Sequence, residues 1–256
     1  MIDLRFLNLR DLMQIGSLTI NLYGLLYAIG FFYLYKIARK YFETYKINKD
    51  LAYILIIYII IGSIVGARIF HILFYMPELY LENPIRILMV WKGGLSIHGG
   101  LLGGVVAAIL FFKKHRINHE KALLNLFDRI VIPLAIFLAI GRIINLLNGE
   151  IIGIETDVSW CVLLSGVDGC RHPVQAYAFF KNIIIFLFLV KIRHFINKPG
   201  ILIGSFLTLY GFLRFFTDFF REYGSHYLGI SIGQYLDILM IIAGLIIFSK
   251  VKPLQK

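Results

Sequence analysis

The sequence predicts an all-α, polytopic integral membrane protein with about seven transmembrane helices. Of its 256 residues, 59% are hydrophobic, and the mean hydropathy of +0.79 is too high for a soluble domain. Several apolar runs reach the roughly 18 to 20 residues that a helix needs to cross the hydrocarbon core. The charged residues lie mostly in short clusters between these runs. Together these observations exclude a soluble globular fold.

The predicted spans follow one another with short connections. We place them at 18–35, 51–75, 95–112, 122–147, 174–190, 201–220 and 232–249. No internal repeat, low-complexity tract or linker interrupts the series. The chain is therefore expected to form a single integral membrane domain over residues 1–256, with a short outer loop region at about 150–172.

Clusters of lysine and arginine follow the first, third, fifth and seventh predicted spans. By the positive-inside rule these connections are cytoplasmic. The amino terminus is then outside and the carboxyl terminus in the cytoplasm. The net charge of +11 indicates this topology and not a nucleic-acid partner, because the basic residues do not share one soluble face.

Both cysteines, Cys161 and Cys170, lie in the predicted outer loop. On an oxidising side of the membrane they can form a disulfide that closes this loop, but two free thiols remain an alternative. No group of histidine and cysteine residues has the spacing of a metal site, so no metal is expected.

The stretch GRIINLLNGEIIG, residues 141–153, places polar residues at the end of an apolar helix. At about 100° per residue, Arg142, Asn145 and Asn148 fall on one arc. Such residues are costly in hydrocarbon and indicate a functional site. The alternative is a structural role, in which the arginine reaches the interface and the asparagines join neighbouring helices. Glu150, at the outer end, is expected to hold Arg142 or to orient a water.

The sixth span carries a second polar stripe, which includes Arg214 and Asp218 one turn apart. The structural interpretation is an ion pair between these two residues. The functional interpretation is that Arg214 and Arg142 converge on a lipid phosphate, since guanidinium groups suit phosphate oxygens. Lys181 and Asp237 also fall within predicted spans, and the sequence assigns them no role.

Three further residues in predicted spans have two interpretations each. His98, in GGLSIHGGLLGG, either bridges two helices or accepts a proton from a reacting group. Tyr23 belongs either to an interfacial aromatic belt or to a ligand site. Arg68 is expected to join helices or to contact a lipid headgroup.

Six motifs occur together between Tyr23 and Gln234: LYGLLYAIG, GARIFHILFY, SIHGGLLGG, GRIINLLNGEIIG, RHPVQAY and GFLRFFTDFFRE. In type and order they resemble the motifs of the prolipoprotein diacylglyceryl transferases. The resemblance implies an enzyme of the prokaryotic cytoplasmic (inner) membrane. It implies transfer of the diacylglyceryl group from phosphatidylglycerol to the lipobox cysteine in the signal peptide of a prolipoprotein, with release of glycerol phosphate and without a cofactor.

The resemblance also assigns roles to residues. It implies that His98, Arg142 and Arg214 are catalytic. From the residues and the resemblance together, we expect the substrate-binding residues to be Tyr23, Arg68, Asn145, Glu150, Gly153 and Asp218, although the family match of Arg68 is structural or supporting. The sequence departs from the family pattern at Ile144 in place of glycine, at Asp218 in place of glutamate, and at Ala178 in place of an acid. Two alternatives therefore stay open: a divergent relative that moves another lipid group, and a lipid or ion transporter.

Overall fold

The computed structural model describes residues 2–4, 11–15, 18–117, 119–195, 198–222 and 228–251. These residues are mainly helical. The α-helices are α1 (Leu22–Thr44), α2 (Leu51–Phe74), α3 (Pro77–Glu82), α4 (Ile97–Lys114), α5 (His119–Leu147), α6 (Val174–Ile192), α7 (Ile201–Thr217) and α8 (Ile232–Lys250). Short 3₁₀ turns cover Pro84–Leu88, Val90–Lys92 and Asp218–Phe220. The strands are β1 (Ile2–Asp3), β2 (Asp11–Ile15), β3 (Leu18–Asn21) and β4 (Val162–Leu163). Strand β1 pairs with β4 in parallel, and β2 pairs with β3 in antiparallel fashion.

Within the described residues, six helices are long and apolar enough to cross a membrane. They are Leu51–Phe74, Ile97–Lys114, Lys121–Leu147, Val174–Ile192, Ile201–Phe220 and Ile232–Lys250. They coincide with the second to seventh predicted spans. The expectation of an all-α polytopic membrane protein is therefore confirmed.

The first predicted span, 18–35, is not among the six. Its predicted start is wrong, because residues 18–21 form β3 and the helix begins at Leu22. From Leu22 to Tyr35 the apolar part of α1 has a length of only about 21 Å, short of the roughly 30 Å hydrocarbon core. Charged residues follow from Lys36 onward. A total of seven spans, and the orientation of the termini, stay predictions.

The chain forms two compact units. One comprises Met1–Gly30 with Phe127–Lys256, and the other comprises Phe31–Leu126. The expectation of a single integral domain stays a prediction.

In the unit Phe31–Leu126, helices α2 and α4 pack backbone against backbone. A β-carbon on Gly66 would lie 2.4 Å from the carbonyl oxygen of Gly99, and one on Gly103 would lie 2.1 Å from that of Gly62. Both distances are far inside van der Waals contact, so glycine is required for this approach. The stripe of glycines in GGLSIHGGLLGG thus serves helix packing.

In the other unit, α5, α6 and α7 share an apolar core. Its buried members are Val131, Ala135, Ile185, Leu189, Phe206 and Tyr210. Helix α8 lies so close to α7 at Gly211 that a β-carbon there would be 2.6 Å from the carbonyl oxygen of Asp237. The absence of a side chain at Gly211 makes this approach possible. The start of α7 is tied to α5 by the buried carboxylate of Asp128, which accepts the amide hydrogens of Gly200 and Ile203 at 2.7 and 2.8 Å. Two of the amides that a helix start leaves unpaired are thus satisfied.

The connection between α5 and α6 is attached to the end of α7. The amide of Ile154 donates to the carbonyl of Phe220 at 2.9 Å, and that of Glu222 donates to Ile152 at 3.0 Å. Further along, Cys161 and Cys170 are joined in a disulfide, with their α-carbons 5.6 Å apart. Of the two alternatives for the cysteines, the structure therefore has the disulfide.

Candidate active site

The polar stretch begins where α5 ends. After Leu147 the chain reverses at Gly149, whose φ of +64° is a left-handed conformation suited to glycine at a helix terminus. The amide of Glu150 then donates to the carbonyl of Asn145 at 2.9 Å. This turn directs the side chain of Glu150 back toward the last turn of the helix.

The Glu150 carboxylate collects three hydrogen bonds. Its Oε2 accepts from the Tyr23 hydroxyl at 2.7 Å and from Nδ2 of Asn145 at 3.0 Å, and its Oε1 accepts from Nδ2 of Asn148 at 3.1 Å. Asn145 Nδ2 also donates to the Tyr23 hydroxyl oxygen. Asn145 and Asn148 are both buried. The two asparagines therefore lie on the predicted arc of α5 and donate hydrogen bonds to this carboxylate.

Arg142 joins the same network through Asn145. Its Nη1 donates to Oδ1 of Asn145 at 3.3 Å. Among the described residues, no carboxylate forms an ion pair with Arg142, so the expected hold of Glu150 on Arg142 is indirect. We call Tyr23, Arg142, Asn145, Asn148 and Glu150 the Glu150 cluster.

The turn that follows is strained, because Ile151 is a β-branched residue with a φ of +61°. The side chain of Gln175, only 1% exposed, donates to the carbonyls of Glu150 and Ile151 at 2.7 and 2.9 Å. Gly153 lies against His172, and a β-carbon there would be 2.2 Å from the His172 carbonyl oxygen. Glycine is thus required here for packing, and the predicted substrate-binding role of Gly153 stays a prediction.

A cleft in the same unit gathers cations from α5, α6, α7 and the segment after α7. We call it the cationic cleft, lined by Arg142, Lys181, Arg214, Arg221 and Asp218, with Ile151, Val174, Ala178 and Thr217. Arg142 belongs both to this cleft and to the Glu150 cluster. The predicted proximity of the two arginines, Arg142 and Arg214, is therefore found in the structure.

Arg214 is held by two carboxylates. Its Nη2 lies 3.2 Å from Oδ2 of Asp218, and its Nη1 lies 2.8 Å from Oδ1 of Asp237 and 3.1 Å from the carbonyl oxygen of Gly233. All of these side chains are nearly inaccessible to solvent. The ion pair between Arg214 and Asp218, which the structural interpretation predicted, is therefore present. Asp237, to which the sequence assigned no role, also pairs with Arg214. Gly211 makes the second pair possible by letting α8 approach α7.

Lys181 is the cleft residue that sequence reasoning missed. It is 4% exposed, and its Nζ has no hydrogen-bond partner among the described residues. Nζ lies over the Tyr210 ring, 3.5 Å from its centroid. A signal was available in the sequence, since Val174, Ala178 and Lys181 recur at helical spacing and line one wall.

Two predicted site residues, Arg68 and His98, belong to the unit Phe31–Leu126. The Arg68 guanidinium donates to a ring of backbone carbonyls in the connection between α3 and α4. The acceptors are the carbonyl oxygens of Ile87 at 3.0 Å, Met89 at 3.1 Å, Gly93 at 2.6 Å and Gly94 at 3.0 Å, and that of Arg86. Arg68 thus organises this connection. His98 is half-buried in the first turn of α4, with its ring centroid 6.3 Å from that of Phe70 on α2.

A family model described as prolipoprotein diacylglyceryl transferase matches residues 10–250. The phosphatidylglycerol-prolipoprotein diacylglyceryl transferase of Chloroherpeton thalassium is 39% identical over 254 residues, which are 96% of this chain and 93% of that relative. Proteins of the same name from Tolumonas auensis and Rickettsia rickettsii are 37% and 38% identical. Their alignments cover 92% and 94% of this chain, and 93% and 95% of those relatives. The similarity therefore extends over both units.

Proposed function

This chain belongs to the prolipoprotein diacylglyceryl transferase family, and from that premise we propose that it moves the diacylglyceryl group of phosphatidylglycerol to a cysteine thiol of a prolipoprotein. The protein is a multi-pass membrane protein, with six described helices suited to crossing a bilayer. Its relatives are bacterial enzymes that carry the name of this transferase. The proposed acceptor is the lipobox cysteine of the signal peptide, and the proposed location is the cytoplasmic membrane, with the amino terminus outside.

The proposed reaction is a substitution at the carbon that joins the diacylated glycerol to the phosphate. The acceptor sulfur forms a thioether bond to this carbon while the bond from carbon to the phosphate oxygen breaks and its electron pair leaves with that oxygen. The thiol proton passes to a base, and glycerol phosphate departs. The donor phosphodiester carries one negative charge, whereas a departing phosphate monoester carries nearly two at neutral pH. Negative charge therefore accumulates on the phosphate as the reaction proceeds.

The charge of the cationic cleft is the observation that carries this proposal. Its four cations are opposed by Asp218 in the wall and by Asp237 behind Arg214. With all six groups ionised, an excess of two positive charges remains. Fixed charges in a site shielded from water stabilise a developing anion strongly. Because the departing group is more negative than the bound donor, this excess favours the transition state over the bound lipid.

The Glu150 cluster supports the cleft by orientation. Asn145 accepts from Arg142 with its oxygen and donates toward Glu150 and Tyr23 with its nitrogen. This arrangement fixes which end of the amide faces Arg142. The guanidinium is then directed before the lipid arrives, which lowers the cost of binding it.

We assign the acceptance of the thiol proton to His98. An imidazole in its neutral form carries a ring nitrogen that can accept a proton. The sequence motif around His98 supports this assignment. Arg68 is assigned a supporting role, because its guanidinium is already engaged by backbone carbonyls.

Ala178 favours a second candidate for the lipid that donates the diacylglyceryl group. It lines the cationic cleft at the position where the family motif has an acid, so one negative charge is missing from the wall. A cleft with this composition suits a donor with additional negative charge. The alternative is therefore transfer of the same group from another anionic glycerophospholipid.

The deciding experiment uses purified protein, a lipobox peptide and a panel of labelled phospholipids. We expect transfer from phosphatidylglycerol by the wild type, and a loss of at least a hundredfold in Arg142→Met. The matched control is Arg39→Met, since Arg39 is an exposed arginine paired with Glu43. Absence of transfer from phosphatidylglycerol, with transfer from another donor in the panel, would establish the alternative. Normal transfer by Arg142→Met would remove the cleft from the mechanism.

A further inference from the structure

We propose that Lys181 is a binding residue for the phosphate of the donor lipid. The inference rests on the proposed function, and it adds a cation that neither the motifs nor the resemblance assigned. It concerns the donor and not the acceptor thiol.

The position of the Lys181 ammonium requires an explanation. The residue is 4% exposed, and Nζ has no hydrogen-bond partner within the described part of the chain. An ammonium removed from water without an anionic partner is costly, and lysine is rarely buried in that way. Because the residue lines the cationic cleft, an anion bound there would offset the cost.

Arg214, in the same cleft, shows the contrast. Its guanidinium is neutralised by Asp218 and Asp237, at 3.2 and 2.8 Å. The positive charge of Lys181 has no ion pair of this kind among the described residues. Lys181 and Arg142 are therefore cleft cations that no carboxylate neutralises within the described part of the chain.

The Tyr210 ring explains how the ammonium is kept in place without being neutralised. Nζ lies 3.5 Å from the ring centroid, which is a cation–π contact. The face of an aromatic ring attracts the cation but leaves ammonium hydrogens available for an acceptor. Ala178, one turn earlier on α6, lines the same wall and adds neither bulk nor a carboxylate. The ammonium thus brings charge and hydrogen-bond donors to the wall of the cleft.

The ligand class follows from this chemistry. A compact ammonium is a point charge with three donors and binds a phosphate oxygen from several directions, whereas a guanidinium grips two oxygens in one plane. Lys181 is therefore suited to bind a single phosphate oxygen. The shared chemistry is that of a phosphate oxygen, carried either by a lipid or by a free phosphate.

The test compares Lys181→Met with Lys181→Arg. Methionine replaces the hydrocarbon part of the lysine side chain at similar length and removes the charge, whereas arginine keeps the charge. Lys191→Met is the matched control, since Lys191 is exposed on the same helix. Binding of phosphatidylglycerol, of diacylglycerol without phosphate, and of inorganic phosphate is measured on purified protein by native mass spectrometry. The melting temperature and the KM for phosphatidylglycerol are measured in parallel.

We expect Lys181→Met to bind phosphatidylglycerol at least about tenfold more weakly, as for the loss of one charge-assisted hydrogen bond. Diacylglycerol binding should not change, and the melting temperature should stay equal or rise because an unpaired buried charge is gone. Lys191→Met should bind phosphatidylglycerol like the wild type. Lys181→Arg, which keeps the charge but not the geometry, should bind more tightly than Lys181→Met. Weakened binding of inorganic phosphate alone would assign Lys181 to a free phosphate.

Unchanged phosphatidylglycerol binding in Lys181→Met, or no binding preference of the wild type for phosphatidylglycerol over diacylglycerol, would overturn the inference. A lower melting temperature with unchanged binding would make Lys181 a structural residue. If the wild type binds phosphatidylglycerol through Lys181 but transfers nothing to a lipobox peptide, the proposed function fails and the binding role stands. If it transfers normally and Lys181→Met binds normally, only the role of Lys181 fails.

Discussion

Replacing Glu150 by glutamine exchanges one oxygen of the side chain for an NH₂ group and breaks the pattern of donors around it. The carboxylate accepts from Tyr23 at 2.7 Å, Asn145 at 3.0 Å and Asn148 at 3.1 Å. An amide has one oxygen and one NH₂ group. In either orientation, the NH₂ group of the substituted side chain faces at least one group that donates in the wild type, and that group must turn to accept. Asn148 can do so, since its Oδ1 has no hydrogen-bond partner among the described residues.

The least harmful orientation keeps the amide oxygen at the position that serves Tyr23 and Asn145. It places the new NH₂ beside Asn148, whose amide must turn to accept with Oδ1. The three charge-assisted hydrogen bonds of Glu150, of about 1.5 to 3 kcal/mol each, then become neutral bonds of about 0.5 to 1.5 kcal/mol. We expect a loss of about 2 to 4 kcal/mol in the free energy of unfolding.

Activity should fall as well, because Asn145 then donates to a neutral oxygen instead of a carboxylate, and its amide is held less firmly. A turned amide presents its NH₂ to Arg142 and removes the 3.3 Å contact that directs the guanidinium. Loss of one such bond in the transition state slows the reaction roughly 10- to 100-fold.

The assay combines thermal melting in detergent with the rate of diacylglyceryl incorporation into a lipobox peptide. Glu222→Gln is the matched control, because its side chain is 53% exposed and its pair with Arg171 lies at the surface, where such pairs contribute about 1 kcal/mol or less. The reasoning is refuted if Glu150→Gln melts and reacts like Glu222→Gln.

Three further predictions follow from the same unit. Arg214→Lys should lose about 1.5 to 3 kcal/mol of stability and most of its turnover, since one ammonium cannot replace a guanidinium bound to two carboxylates; normal turnover, with a loss in Asp218→Asn, would leave only an ion-pair role. Gly153→Ala should cost about 1 to 3 kcal/mol by thermal melting, because its β-carbon would lie 2.2 Å from the His172 carbonyl oxygen, and an unchanged melting temperature would contradict this. A reporter active only outside the cytoplasm should work when inserted within 150–172 and fail at the carboxyl terminus; the opposite pattern would reverse the proposed orientation.

The sequence predicted the helical membrane architecture well, because apolar length is a local property. Six predicted spans coincide with helices in the structure. The first was placed too early, since Leu18–Asn21 forms a strand that pairs with β2. Strand pairing of this kind depends on a partner segment, and hydropathy along the chain does not reveal it.

The arc on α5 was predictable, and the partners of its residues were only partly so. Helical spacing placed Arg142, Asn145 and Asn148 together, yet the turn at Gly149 decides that Glu150 meets the asparagines instead of Arg142. Asp237 had no assignable role because its partner lies on another helix. Which helices become neighbours is set by packing, as at Gly211, and not by spacing along one helix.

Because Arg142 belongs to both the cationic cleft and the Glu150 cluster, the two sites share a single thermodynamic cycle. A phosphate that draws the Arg142 guanidinium also acts on Asn145, and through it on the Tyr23 hydroxyl. Such coupling is reciprocal: whatever factor a bound headgroup applies to the affinity for a ligand at Tyr23, that ligand applies to the affinity for the headgroup. A compound that binds beside Tyr23 would therefore have a potency that depends on the anionic lipid content of the membrane in which it is measured.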